Sequence, residues 1–279
     1  MKERDEKKKR HRRWIVPALL LVLVLPGLDN RLRIREYTVE TGVLTSPVRL
    51  ALVTDLHSCR YGEGESALLE ALDAQAPDAV LLGGDIFDDV LSDANTESFL
   101  AGISGRYPVY YVTGNHEYGA GTEAYTEKME ILGRYEITRL AGDTVELTHD
   151  GSTILLSGVD DPECYTTGQR EGFEEQLAAV APRGDAYTVL LSHRPERLED
   201  YAAYGFDLAL CGHAHGGQWR IPGILNGLWA PDQGFFPQLA GGSYTQGDTR
   251  MIVSRGLARE STRIPRIYDP PELVIVTLT

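Results

Sequence analysis

The strongest structural signal in this sequence comes from two stretches, VRLALVTDLH at residues 48–57 and AVLLGGDIFDD at residues 79–89. Each begins as a continuous apolar run of strand length and ends in a group of aspartate, glycine or histidine residues. Continuous apolar runs are typical of strands that are buried on both faces, as in parallel sheets covered by helices. The polar residues therefore follow the carboxyl ends of two strands, which is where sites gather in such folds.

The same pattern repeats along the chain. Further apolar runs of strand length occur at residues 109–113, 153–159, 187–192, 208–211, 251–254 and 273–278. Amphipathic helix candidates lie between several of them, at residues 66–76, 123–132, 172–181 and 196–204. Alternating strands and helices predict an α/β fold with much of its sheet buried on both faces.

Composition and charge describe a globular, acidic body behind a basic leader. Hydrophobic residues make up 42% and charged residues 24% of the 279 residues, which excludes disordered, collagen-like and polytopic membrane chains. The formal net charge is -14, but residues 2–13 contribute +5, so the remainder carries -19. All five lysines except Lys128 lie in that leader. An acidic body with scattered arginines argues against nucleic-acid binding.

An apolar segment follows the basic leader at residues 1–13. Residues 14–28 (WIVPALLLVLVLPGL) carry no charge but contain two prolines and a glycine. The segment is shorter than the roughly 20 residues of a bilayer span, and no small-x-small cleavage site follows it. We favour an uncleaved signal anchor; a twin-arginine signal and a buried N-terminal helix are the alternatives. Because positive flanks stay cytoplasmic, we expect a location at the cell membrane with the body outside the cytoplasm.

Five of the seven histidines directly follow predicted strands, in the company of carboxylate and amide residues. The motifs are Asp55-Leu56-His57, Gly84-Asp85-Ile86-Phe87-Asp88, Gly114-Asn115-His116-Glu117, His193 and Gly212-His213-Ala214-His215. Imidazole nitrogens mixed with hard oxygens suit divalent ions such as Mn, Fe, Zn or Co. Seven candidate ligands exceed what one ion takes from a protein, and a carboxylate such as Asp85 can bridge two ions. The sequence therefore predicts a site for two divalent metal ions.

The ordered set DLH, GDIFD, GNHE, a lone SH and GHAH, over residues 55–215, resembles the calcineurin-like metallophosphoesterase superfamily. The resemblance implies a four-layer αββα sandwich with two mixed β-sheets over residues 37–279. It also implies that one ion is held by Asp55, His57 and His215, that the other is held by Asn115, His193 and His213, and that Asp85 bridges them. His116 is implied to face the scissile phosphate, with Asp88 orienting it through a hydrogen bond. Asp89 is the neighbouring competitor for that orienting role.

The activity that the resemblance implies is metal-dependent hydrolysis of phosphoric esters. Two cations would neutralise phosphate oxygens and lower the pKa of a bridging water, so that hydroxide is available at neutral pH. His116 would protonate the leaving alkoxide or stabilise its developing charge. Glu117 is expected to do no more than cap a helix. The alternatives are a non-catalytic metal-binding scaffold and a phosphomonoesterase or nuclease of the same superfamily.

Local features narrow the resemblance to a subgroup. The stretch GHAHGGQWRIP, GVDDP at residues 158–162 and the C-terminal tail resemble membrane-associated bacterial phosphoesterases of the YkuE and YaeI type. Asp89 stands where the family's protein phosphatases carry an arginine, which favours a phosphodiester or pyrophosphate over a phosphomonoester on protein. Some relatives cleave UDP-diacylglucosamine, so a lipid-linked substrate of the cell envelope stays open.

A long segment after GHAH is rich in large apolar residues among glycines and prolines. These residues are Trp219, Ile221, Ile224, Leu225, Leu228, Trp229, Phe235 and Phe236. We expect them to pack into the core beneath a long loop. The alternative is an apolar rim that contacts acyl chains or a bilayer surface.

Overall fold

The computed structural model describes residues 24–167, 172–262 and 264–279. The predicted basic leader and most of the predicted anchor lie outside these ranges. A short 3-10 helix at Leu25–Leu28 is followed by the first strand, which begins at Arg33. Within the described ranges, no helix has the length and apolar character needed to cross a membrane.

The first of two six-stranded sheets has the strand order β1-β14-β2-β3-β4-β5. Its strands are Arg33–Val39 (β1), Glu272–Leu278 (β14), Val48–Val53 (β2), Ala79–Gly83 (β3), Val109–Val112 (β4) and Thr138–Arg139 (β5). Strands β2 to β5 run parallel to one another, whereas β14 and β1 run in the opposite direction.

The second sheet has the order β12-β13-β9-β8-β7-β6. Its strands are Gly242–Gln246 (β12), Thr249–Val253 (β13), Leu208–Cys211 (β9), Thr188–Leu191 (β8), Ser152–Gly158 (β7) and Asp143–His149 (β6). The four inner strands are parallel, and an antiparallel strand closes each edge. Both sheets are therefore mixed, as predicted.

Helices cover the outer faces of the sheets. They are Ser66–Gln75 (α1), Ala94–Ile103 (α2), His116–Gly119 (α3), Thr122–Arg134 (α4), Phe173–Ala179 (α5) and Leu198–Tyr204 (α6). Short 3-10 helices occur at Glu63–Glu65, Pro162–Thr167, Pro195–Arg197 and His215–Gly217. A small two-stranded ribbon, Trp229–Ala230 (β10) with Gly234–Phe235 (β11), lies in the long segment after β9.

Three apolar cores show how the layers stack. Leu50 and Leu52 of β2 belong to a core between the two sheets that also contains Leu191 of β8. The alternate residues Ala51 and Val53 point the other way, into a core shared with α1, α2 and α4. A third core joins the far face of the second sheet to α5 and α6. Because successive strand side chains point to opposite faces, both faces of these strands are apolar, and the predicted four-layer αββα sandwich is confirmed.

The two sheets place their strand ends at a common edge. Asp55, Asp85 and Asn115 follow the carboxyl ends of β2, β3 and β4, and His193 and His213 follow β8 and β9. Hydrogen bonds cross from one sheet to the other at this edge. The His193 Nδ1 atom lies 2.8 Å from the Gly83 carbonyl oxygen, and the backbone N–H of His213 donates to Asp55 Oδ1 at 2.9 Å.

Candidate metal centre

The carboxylate of Asp85 lies at the centre of the predicted ligand set. Its Oδ2 atom is 3.2 Å from His193 Nε2 and 3.5 Å from His57 Nε2. All three atoms are buried, and none has a hydrogen-bond partner in the described part of the chain. Buried polar atoms without partners carry a large desolvation cost. A carboxylate oxygen between two imidazole nitrogens fits a pair of cations that share one bridging ligand.

One group of candidate ligand atoms gathers on the side of the first sheet. Asp55, His57, Asp85 and His215 each offer an atom within 4.8 Å of the others. Asp55 Oδ2 and His215 Nδ1 are also buried and without a hydrogen-bond partner among the described residues. Burial holds the pKa of His215 well below its usual range. Its imidazole is therefore neutral, which is the form that binds a metal ion.

A second group lies on the side of the second sheet. Asp85, His193 and His213 offer atoms within 4.8 Å of one another. A carbonyl oxygen only accepts hydrogen bonds, so the contact with Gly83 makes His193 Nδ1 the donor and leaves the Nε2 lone pair facing Asp85. Asn115 Oδ1 is buried and unpartnered within the same described residues. The residues present thus fit two divalent ions, and the individual ligand roles stay predictions.

The charge balance of this cluster also fits cations. Burial alone would raise the pKa of Asp85, but His193 and His57 beside it hold that pKa well below its usual range. Burial lowers the pKa of His193, yet the Asp85 carboxylate outweighs it and raises that pKa to about 10. The Asp85 carboxylate that favours a second proton on His193 would equally favour a cation, and a bound cation would replace the proton on Nε2.

The backbone of the candidate ligands is unusual. Five of them have a positive φ angle: Asp55 (52°), His57 (48°), Asp85 (51°), His213 (66°) and His215 (46°). This left-handed region is sterically unfavourable for residues with a Cβ atom. The loops turn sharply after each strand and direct these side chains toward one point.

Two glycines allow the loops to approach closely. Gly84 has a φ angle of 89°, and a Cβ atom there would lie 2.6 Å from His193 Nδ1. A Cβ atom at Gly114 would lie 2.2 Å from Asp85 Oδ1. The glycine of the GD motif is therefore required by its backbone conformation and by the space beside His193, and the glycine of the GN motif by the space beside Asp85.

The predicted hydrogen bond between Asp88 and His116 is wrong. Asp88 Oδ2 lies 3.1 Å from His57 Nδ1, whereas His116 Nδ1 lies 3.1 Å from Asp89 Oδ1. The reason is local, because Asp88 Oδ1 accepts hydrogen bonds from the backbone N–H groups of the two residues after Asp89, and this turns its other oxygen toward His57. Asp88 thus orients a candidate ligand, and Asp89 is the partner of His116.

His116 lies beside the ligand cluster at a more open position. Its ring is edge-on to that of His57, with 4.5 Å between the ring centroids. About a third of its side chain is exposed, as is about a third of Asp89. A bound substrate can therefore reach this imidazole, as the predicted catalytic role requires. The role itself stays a prediction.

Glu117 does far more than cap a helix, so that expectation is wrong. Its fully buried carboxylate accepts hydrogen bonds from the backbone N–H groups of Asp85, Ile86 and Phe87, at 3.0, 2.8 and 3.2 Å. It also accepts one from Gly114 at 2.6 Å. Burial and the nearby Asp85 raise the pKa of Glu117. One side chain therefore fixes the two loops that follow β3 and β4. In the sequence, only its position next to His116 indicated that Glu117 belongs to the site.

Lys128 also holds the loops that follow β3 and β4. It is buried, and its Nζ atom donates to the carbonyl oxygens of Asp88 at 2.8 Å and His116 at 3.2 Å. Its sequence signal was its isolation as the only lysine outside the basic leader. The buried ammonium ties the candidate catalytic histidine to the loop after β3.

A third supporting group surrounds His213. Its Nε2 atom lies 2.8 Å from Asp232 Oδ2, and Arg194 binds the same aspartate. Arg194 is buried and also donates to both carboxylate oxygens of Asp161, at 2.5 and 2.9 Å. A carboxylate bonded to one ring nitrogen of a histidine fixes the orientation of the ring. Sequence reasoning missed Arg194 and Asp232, although Asp161 lies in the GVDDP stretch noted for its resemblance.

Comparisons with known proteins agree with this geometry. A family model described as calcineurin-like phosphoesterase matches residues 48–217. The metallophosphoesterase YkuE of Bacillus subtilis is 25% identical over 252 residues, which cover 87% of this chain and 84% of YkuE. The phosphodiesterase YaeI of Escherichia coli is 28% identical over 238 residues, which cover 84% of this chain and 83% of YaeI.

Solved structures share the fold at low sequence identity. The NAD nucleotidase of Haemophilus influenzae superimposes with a TM-score of 0.52 at 16% identity over 77% of this chain. The match covers 46% of the nucleotidase, so this chain spans about half the length of that protein. Protein TT1561 of Thermus thermophilus superimposes with a TM-score of 0.50 at 13% identity, covering 76% of this chain and 91% of TT1561.

Proposed function

The chain belongs to the calcineurin-like phosphoesterase family, and from this premise we propose that it hydrolyses phosphodiester or pyrophosphate bonds with two divalent cations. It is a metal-dependent phosphoric ester hydrolase, and a phosphodiesterase is among its relatives. The observation that carries the proposal is the convergence of three buried atoms that lack a hydrogen-bond partner in the part of the chain that the structure describes: Asp85 Oδ2, His57 Nε2 and His193 Nε2.

The residues divide between the two ions as follows. Asp55, His57 and His215 would hold one ion, Asn115, His193 and His213 would hold the other, and Asp85 would be shared by both. When bound, the ions supply positive charge that neutralises phosphate oxygens and favours the ionisation of water. Mn, Zn and Fe all suit this mixture of imidazole nitrogens and hard oxygens.

His116 is proposed as the proton donor for the leaving group. A carboxylate only accepts hydrogen bonds, so the contact with Asp89 keeps a proton on His116 Nδ1. In the doubly protonated imidazolium, Nε2 carries the second proton and gives it to the leaving oxygen as the phosphorus–oxygen bond breaks, and the ring that remains is neutral and keeps its proton on Nδ1. Lys128 and Asp89 together hold the ring in place from the backbone side and from Nδ1.

Two features bear on the substrate: one favours a diester or pyrophosphate, and the other favours a substrate with a lipid part. Asp89 is engaged with His116 and adds negative charge at the opening, which disfavours the doubly charged phosphate of a monoester. The exposed apolar segment at residues 219–236, close to His215 in the chain, favours a substrate with a lipid part. We therefore propose a lipid-linked phosphoester of the cell envelope as the substrate class.

A metal and substrate screen tests this function. The purified chain is loaded in turn with Mn, Zn and Fe, its bound metal is quantified, and an aryl phosphodiester, an aryl phosphomonoester, a nucleotide sugar and a lipid diphosphate are offered. We expect diester or pyrophosphate turnover that exceeds monoester turnover and disappears with a chelator. Two bound ions with no turnover on any substrate would instead identify a non-catalytic scaffold.

The location is a separate proposal, supported by the charge step between residues 2–13 and the rest of the chain. Residues 14–28 are proposed to anchor the protein, with the basic leader in the cytoplasm and the body outside. Protease added to intact cells should then degrade the body and spare an N-terminal tag. Protection of the body until the cells are opened would contradict this topology.

A further inference from the structure

Large apolar side chains are exposed over one face of the protein, so the predicted core packing of this segment is wrong. Ile224, Phe235 and Phe236 have exposed fractions of 85%, 72% and 65%, and Trp219, Trp229 and Ile221 are also exposed. We call these six residues the apolar face. Soluble monomers rarely display a contiguous apolar surface of this kind without a binding partner.

Two adjoining cavities make the apolar face concave. One, of about 400 Å³, is lined by Trp219, Leu228, Trp229, Phe235 and Ile264. The other, of about 630 Å³, shares Trp219 and Leu228 with the first. Gly217 and Gln218 also line the first cavity, and they follow the candidate ligand His215 by two and three residues. The apolar face therefore continues to the edge of the metal centre.

The chain enters the fold at this same face. Val24 lines the second cavity, and the Gly27 carbonyl oxygen accepts a hydrogen bond from the backbone N–H of Tyr268 at 2.7 Å. The sequence immediately before Val24, residues 14–23, has no charged residue, and residues 2–13 before it are basic. The described chain that follows this uncharged stretch thus begins at Val24, in the same cavity as the exposed Trp219.

Positive charge lies next to the apolar face, although the body as a whole is acidic. Arg220 lines the second cavity, and its mostly buried guanidinium lies 3.9 Å from the Asp269 carboxylate, whose single negative charge is shared with Arg255 and Arg266. Arg31, and Arg33 at the start of β1, are exposed and share the single carboxylate of Asp29. Guanidinium groups bind phosphate oxygens well, and basic residues beside an apolar surface are attracted to anionic lipids.

We propose that the apolar face docks on the surface of an anionic phospholipid bilayer. Tryptophan and phenylalanine side chains would lie among the headgroups, which is the depth that aromatic rings prefer. Arg220 would contact a lipid phosphate. A bilayer is favoured over a protein partner because the uncharged segment at residues 14–23 leads into this face. The inference goes beyond the proposed function and does not depend on catalysis.

Bromolipid quenching tests the docking directly. The full chain has three tryptophans, Trp14, Trp219 and Trp229, so W14F leaves only the two in the apolar face. With phosphatidylglycerol-containing vesicles that carry brominated acyl chains, we expect the fluorescence of W14F to be quenched. Unquenched fluorescence with the protein bound to the vesicles would overturn the proposal. Tryptophans already shielded without vesicles and unquenched with them would show instead that residues 14–23 cover the face.

Partition measurements separate the apolar face from the apolar leader. A full-chain background of L20D with L23D weakens insertion of the leader without adding positive charge, because a charged residue at a bilayer centre is costly. In this background, F235D with F236D should lower partition to the same vesicles by about tenfold or more per residue, since burying each phenylalanine stabilises by roughly 1.5–3 kcal/mol. Thermal unfolding verifies that each variant is folded.

The matched control for this test is V43D. Val43 is 57% exposed and comes after the C-terminal end of β1, whereas Val24, which lines the second cavity of the apolar face, comes before the N-terminal end of that strand. We expect V43D to leave partition unchanged. Equal partition of the phenylalanine variant and V43D would overturn the proposal, and so would a background that does not bind anionic vesicles at all.

Discussion

The candidate metal centre and the apolar face adjoin in the chain between His215 and Trp219, but they depart from ordinary protein surfaces in opposite ways. Around Asp85, buried polar atoms have no hydrogen-bond partner within residues 24–167, 172–262 and 264–279. Around Phe235, large apolar side chains are left in solvent. Buried polar groups and exposed apolar patches are the informative departures from normal burial. The buried polar atoms of the first region call for a positive charge, whereas the exposed side chains of the second call for apolar cover. Each region therefore indicates the kind of group that it binds.

The largest expected effect is at Asp85, in the centre of the candidate metal site. Asp85→Asn removes the negative charge shared by both predicted ions, so the affinity for both should fall by more than about 100-fold, because even losing a residue that only orients a ligand costs about 10–100-fold. Metal content after dialysis and phosphodiester turnover measure the change. Asp73→Asn, a surface acid on α1, is the matched control and should retain both ions. Full metal content in Asp85→Asn would contradict the bridging role.

His116 separates catalysis from metal binding. His116→Ala should retain both ions but lower turnover by about 100-fold or more, as expected when an acid or a charge-stabilising group is lost. Metal analysis and turnover are measured on the same sample. If the variant loses metal, His116 is a ligand and the assigned role is wrong.

A substitution at Glu117 tests whether a residue that is not a candidate ligand fixes the loops after β3 and β4. Glu117→Gln replaces an acceptor of four backbone N–H bonds, so metal affinity should fall by about 10–100-fold. The free energy of unfolding should fall by about 1–3 kcal/mol, because buried donors lose their partner. Metal titration and urea unfolding provide the measurements. The exposed Glu130→Gln on α4 should match the parent protein in both, and equal behaviour of the two variants would reduce Glu117 to a helix cap.

The smallest expected effect is at Ile224, which tests whether the apolar face is exposed to solvent. Because its side chain is exposed, Ile224→Ser should change the free energy of unfolding by no more than about 0.5 kcal/mol. Urea unfolding of the metal-loaded protein measures this. A loss above about 2 kcal/mol, typical of a buried aliphatic residue, would show that the segment packs as core and that the apolar face is not free.

The fold could be predicted where strands are buried on both faces. Residues 208–211 form β9 within the predicted limits, because every side chain of that strand is buried and apolar. The edge strand β1 was missed, since most of its side chains are exposed and its sequence RIREYTV is largely polar. Helix α2 was missed as well, because it opens with polar residues and its buried side chains lie mainly in its second half.

The site could be predicted to the level of which strand ends meet, but not to the level of which atoms pair. Adjacent aspartates such as Asp88 and Asp89 are equivalent in a sequence, and the backbone N–H bonds of the following turn decide which one faces His57. Lys128 lies 40 residues from one of its two partners. A pairing of that kind depends on tertiary packing and leaves no local pattern.

The left-handed backbone at five candidate ligands has a consequence for how the sequence can change. A side chain in that region costs of order 1–3 kcal/mol relative to a relaxed conformation, and glycine would relieve much of it. Selection for stability alone would therefore drive Asp55, His57, Asp85, His213 and His215 toward glycine. Aspartate and histidine at these positions record a trade of folding stability for chemistry, and a copy freed from its function should lose these residues first.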